Sequence, residues 1–123
     1  MSRRIVVTPI PRFLPEHSTP DQDQYVFAYT ITIENQGEKP AQLISRHWII
    51  TDDTRSVQEV RGLGVVGEQP VLAPGARFTY TSGCTLPTPI GTMKGSYRFL
   101  EEDGEQFDAD IPEFVLAVPS KLH

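Results

Sequence analysis

The sequence is poor in the residues that usually carry chemistry. It holds one cysteine, Cys84, and three histidines, His17, His47 and His123, none at the short spacings of a zinc or cobalt site. A lone cysteine forms no internal disulfide, so nothing calls for an oxidising compartment. Basic residues are outnumbered, 11 Lys and Arg against 16 Asp and Glu, for a net charge of −5. Nucleic-acid binding draws its affinity from Lys and Arg that displace counterions, so nucleic acid is not an expected partner. No apolar run approaches the roughly 20 residues that cross a membrane. Met1-Ser2-Arg3-Arg4-Ile5-Val6-Val7 has no apolar core long enough for a signal peptide. The expected location is the cytoplasm, away from any membrane. Helical periodicity is missing as well. No window keeps apolar residues at i, i+3, i+4 and i+7 for three turns without a proline or a β-branched run.

What the chain does have is punctuation. Eleven prolines and nine glycines are spread along 123 residues, marking turns between short elements. Between them lie apolar and polar residues in alternation, the period of a strand with one buried face. Tyr25, Phe27, Tyr29, Ile31 and Ile33 show it most clearly, and Phe78, Tyr80, Tyr97 and Phe99 are expected opposite them. Candidate strands run over 3–8 (closed by Pro9, Pro11 and Pro15), 25–34, 41–51, 56–61, 78–82, 92–101 and 105–118. Glu102-Asp103-Gly104 supplies a hairpin turn between the last two. Pro112 requires a bulge or an edge position. Residues 3–119 thus read as one domain, a seven-stranded antiparallel β-sandwich of the immunoglobulin or fibronectin type III kind. An up-and-down barrel is the competing architecture.

Several blocks, in order, carry a resemblance. They are Tyr25-Val26-Phe27-Ala28-Tyr29-Thr30, Arg46-His47-Trp48-Ile49-Ile50-Thr51, Gly62 to Pro70, Leu72-Ala73-Pro74-Gly75, Tyr80-Thr81-Ser82-Gly83, Thr88 to Met93 and Ile111-Pro112. On these blocks the chain resembles the ApaG family from about Arg4 to His123. The resemblance implies a fibronectin-type sandwich and a small bacterial cytoplasmic protein associated with cobalt and magnesium efflux. It also implies an interaction role, since similar domains are appended to F-box proteins and to a polymerase-delta-interacting protein. Two positions depart from the family pattern. Leu63 replaces a polar residue, and Asp53-Thr54-Arg55 lacks the glycine usual in that turn.

The sharpest motif is Gly62-Leu63-Gly64-Val65-Val66-Gly67, a GxGxxG. In a dinucleotide fold such glycines bring backbone to a pyrophosphate at a helix N-terminus. Pro70 and Pro74 forbid a helix here, and Glu68 adds negative charge beside the supposed phosphate. The glycines are therefore expected to bend the chain between two strands. The alternative is a loose nest of N–H groups for a small anion or nucleotide, assisted by Arg61. The candidate binding residues are accordingly Arg61, Gly62, Gly64, Gly67 and Glu68. Asp52-Asp53 and Glu101-Glu102-Asp103 read as solvated turn carboxylates. Ser82-Gly83-Cys84 offers a hydroxyl and a thiol with no identifiable base. No catalytic residue, metal ligand or cofactor is expected. The expected function is non-enzymatic binding, most simply of another protein or peptide through loops and a strand edge.

Overall fold

A computed structural model describes residues 3–121 of the chain. His123 lies outside them. Eight strands are formed: β1 (Ile5–Phe13), β2 (Tyr25–Asn35), β3 (Ala41–Asp52), β4 (Val57–Leu63), β5 (Val71–Leu72), β6 (Arg77–Leu86), β7 (Ile90–Leu100) and β8 (Gln106–Ala117). Helical content among the described residues is three 3-10 turns of three residues each. One sheet has the order β1-β2-β6 and the other β4-β3-β7-β8, with β5 continuing the β4 side of β3. All ladders are antiparallel.

The period-two pattern of β2 decides its orientation. Phe27, Tyr29, Ile31 and Ile33 are buried, while Thr30 and Thr32 face outward and pair their hydroxyls with Thr81 and Thr79 of β6. Across the core stand Trp48, Tyr97, Phe99, Phe114 and Leu116. The Trp48 ring meets Tyr29, Tyr97 and Phe114 edge-on, the geometry that aromatic quadrupoles favour. Tyr80 is buried as expected, and Phe78 partly so.

The strand count needs a correction, from seven to eight. β5 has two residues and no alternation to read, and tertiary contacts make it. Leu72 is buried, and its carbonyl accepts from Nδ2 of the buried Asn35, which also donates to the Lys39 carbonyl. The first strand also runs further than expected, through Pro9 and Pro11 to Phe13. The bonds Gln36 N–H to Arg4 O and Leu14 N–H to Val26 O fix the ladder phase. They put the missing donors of both prolines on the side of β1 away from β2, where no ladder bond is lost. Pro112 lies where the β7–β8 register shifts, between the pairs Met93–Phe114 and Gly95–Ile111. It therefore sits in a bulge on an edge strand. In the β3–β4 turn Arg55 holds φ 71, the conformation a glycine takes without strain.

Candidate functional site

The five residues singled out in the sequence separate into two groups. Arg61 and Gly62 belong to β4, whereas Gly64, Gly67 and Glu68 build the turn that follows. Val65 and Glu68 exchange both backbone hydrogen bonds, at 2.8 and 2.9 Å, around Val66 (φ 43) and Gly67 (φ 81). Positive φ at both central residues marks a tight turn of the primed hairpin type. Gly64, at φ 63, donates to the Ile44 carbonyl, and a Cβ there would overlap the Glu68 carbonyl oxygen. The N–H groups of Gly64, Val65 and Glu68 are thus already bonded within the chain. Buried Val65 anchors the turn, and β5 rather than a helix follows it.

Gly62 has a different purpose. A Cβ on it would come within 2.8 Å of the Arg46 guanidinium carbon. Arg46 has the same phase on β3 as Trp48 and Ile50, so its side chain starts on the core-facing side. It passes over Gly62, and Nη1 donates to the carbonyls of Leu63 (3.0 Å) and Gly64 (2.9 Å). The bonds Gly64 N–H to Ile44 O and Asp52 N–H to Ser56 O set the phase of the β3–β4 ladder. They leave the backbone groups of Val57, Glu59, Arg61 and Leu63 directed away from β3. Arg46 covers one of these, the Leu63 carbonyl. Beside this edge a cleft of about 440 Å³ opens between the sheets, lined by Tyr29, Arg46, Gln58, Val60, Ser82 and Cys84.

On the outer face of the same strands the charges are matched in pairs. His47 Nε2 lies 2.8 Å from Glu59 Oε1, and Arg61 shares that oxygen at 3.4 Å. The His47 hydrogen bond holds the Glu59 carboxyl below the usual carboxylate range. Arg98 bonds Asp108 at 2.5 Å, which raises the guanidinium's own pKa. His47, Arg61, Arg98 and Asp108 line a shallow hollow of about 490 Å³ together with Arg46 and Leu63. Of its cations, Arg61 and Arg98 already have carboxylate partners.

A family model described as the ApaG domain matches residues 15–101. A protein named ApaG from Dechloromonas aromatica is 66% identical over 98% of this chain and 94% of its own length. A namesake from Bordetella pertussis is 62% identical over 97% of this chain and 91% of its own. The crystal structure of a Bordetella pertussis protein named ApaA superimposes with a TM-score of 0.92 at 62% identity, covering 95% of each chain. The chain belongs to the ApaG family.

Among the described residues of this ApaG-family chain, no three His, Cys, Asp or Glu side chains come together as metal ligands. Of the turn carboxylates, Asp52, Glu101 and Asp103 are already engaged. Asp52 Oδ1 accepts from Thr54 N–H, the Thr54 hydroxyl and Ser56 N–H, and these bonds lower its pKa. Glu101, read from sequence as solvated, is buried, and that reading is corrected here. Arg3 Nη2 reaches its Oε1 at 3.0 Å while the guanidinium stacks over Phe107, so the charge is compensated. Burial pushes the Cys84 thiol up to about 11, which leaves almost no thiolate at neutral pH. Among the described residues no helix is long and apolar enough to cross a membrane. Arg46 is a functional candidate that lies outside the GxGxxG motif. Its signal was visible: a charged residue on the core-facing phase of an otherwise apolar strand.

Proposed function

We propose that this protein is a non-catalytic binding module that takes an extended segment of a partner protein onto the outer edge of β4. The observation that carries this is the unequal treatment of the sheet edges. β1 turns the missing donors of Pro9 and Pro11 outward, and β8 carries Pro112 and a bulge, both common ways to stop edge pairing. β4 has neither device. It offers outward N–H and C=O groups at Val57, Glu59 and Arg61, which a partner strand can use as a ladder. β6 is also free of proline, but it exposes no large apolar side chain, whereas β4 begins at exposed Val57 and ends at exposed Leu63.

The surroundings of β4 support the same reading. Leu63 is 74% exposed, Val57 60% and Val66 55%. Val66 is β-branched at positive φ, a combination that favours neither the turn nor solubility. Violations of local preference gather where function needs them. On this reading the family's association with cobalt and magnesium efflux runs through a partner, since no three metal-ligating side chains come together among the described residues.

Glu59→Pro tests the proposal. Position 59 is a non-hydrogen-bonded site of the β3–β4 ladder, so proline there removes an outward donor and spares the ladder. The variant is expected to fold and to lose a partner captured by the wild-type chain. Glu59→Gln, which keeps the N–H, is expected to retain it. Equal binding by wild type and Glu59→Pro would refute the edge.

A further inference from the structure

We infer that Arg46 is an acid-reading residue: its guanidinium takes the carboxylate of an Asp or Glu carried by the segment that docks on β4. This rests on the edge reading above and adds the chemical class of the docked side chain.

The argument begins with where the guanidinium is. Arg46 arises from the second strand of its sheet, yet it caps the Leu63 carbonyl, which points away from β3. The group has therefore crossed β4 and stands at the free edge. It crosses at Gly62, the only β4 position without a side chain, and a Cβ there would meet all three terminal guanidinium atoms at 2.7–2.8 Å. Gly62 has no positive φ, so backbone strain does not explain a glycine here. Passage of Arg46 does.

The second step is which donors are spent. Nη1 alone makes both carbonyl bonds. Nε and Nη2 make no hydrogen bond with any described residue. Those two nitrogens form one side of the guanidinium fork, spaced to take both oxygens of a single carboxylate. The anchoring through Nη1 fixes the plane of the fork in advance, which lowers the ordering cost on binding.

The third step is charge. Arg3, Arg61, Arg77 and Arg98 each have a carboxylate partner. Among the described residues Arg46 has none, although its side chain is only partly exposed and shares the cleft wall with Tyr29. A partly buried cation gains more from an anion than an exposed one, because water screens it less. A strand laid along β4 projects alternate side chains over Gly62 into the cleft, where a carboxylate meets the open fork. The chain's net charge of −5 opposes long-range attraction of an acidic segment. Selectivity must then come from contact at Arg46, within a Debye length of about 8–10 Å.

The experiment selects random decapeptides on the full chain and measures one enriched peptide in detail. Enriched peptides are expected to share an Asp or Glu. Changing that residue to its amide should weaken binding by about tenfold or more. Arg46→Gln should cause a similar loss with the acidic peptide and little further loss with the amide peptide, the signature of a direct pair. Arg46→Gln also frees two carbonyls and can unsettle the turn, so Arg46→Lys, which keeps a donor but loses the fork, is the second variant and should likewise shrink the amide penalty. Enriched peptides without an acid, or an amide penalty undiminished in folded Arg46→Gln, overturn the inference. The two readings fail separately. Peptides blocked by Glu59→Pro but indifferent to the acid keep the edge and reject Arg46. Peptides indifferent to Glu59→Pro reject the edge itself.

Discussion

At the residue scale, the three glycines of the GxGxxG share a motif and little else. Gly62 makes room for a side chain, Gly64 for a carbonyl, and Gly67 supplies a backbone angle. Their substitutions should therefore differ. Gly67→Ala meets nothing within 4 Å, so its penalty is the left-handed conformation alone, about 1 kcal/mol. Gly64→Ala adds overlap with the Glu68 carbonyl to the same penalty, and about 3 kcal/mol or more is expected. Urea denaturation of the two variants measures the difference. Equal losses would mean that the turn relaxes freely, and would remove the steric account of Gly64.

At the element scale, the strands of β2, β3, β6, β7 and β8 were legible because each keeps one bulky, alternating face over several residues. Phe27 illustrates the energetics. It is fully buried on β2 and rings with Phe13 at 5.4 Å. Phe27→Ala should cost about 3–5 kcal/mol in thermal or urea unfolding. A loss under about 1 kcal/mol would place it at the surface. The far end of β1 and the whole of β5 were not legible, each for a physical reason. Prolines normally stop a strand, but Pro9 and Pro11 both face the unpaired side of an edge, so β1 continues. β5 is held by Asn35 and Leu72, contacts distant in sequence. The candidate site was legible in part. Arg61 and the glycines could be named from the motif, whereas Arg46 showed in the sequence only as a charge on an apolar strand, and its place beside Gly62 came from the β3–β4 register. A local motif search does not report cross-strand neighbours.

At the scale of the whole molecule, the two sheets are joined by a polar contact in the centre of an apolar core. The hydroxyls of Tyr80 and Tyr97 lie 2.5 Å apart, both rings buried, one from each sheet. Desolvation is the first cause that raises both pKa values, Tyr80 to about 12 and Tyr97 further, and it raises Tyr29 as well. The sign of the consequence follows from linkage. A tyrosine is neutral when protonated, so a raised native pKa means that the folded state holds its proton after the unfolded chain has released it. Stability from these groups is intact below the ordinary tyrosine pKa of about 10 and falls as pH rises through 10 towards 12. Three of the four tyrosines are affected. An alkaline titration followed at 295 nm should therefore show most tyrosinate forming late, together with loss of the near-ultraviolet dichroism of the packed core. Tyr80→Phe alone should cost about 1–3 kcal/mol, because it strands the Tyr97 hydroxyl in the core. Tyr80→Phe with Tyr97→Phe should cost less than the single change, since no polar group is then left unpaired. If all four tyrosines ionised near pH 10 with the dichroism intact, the hydroxyl pair would have to be open to water, and the two sheets less firmly closed than this packing requires.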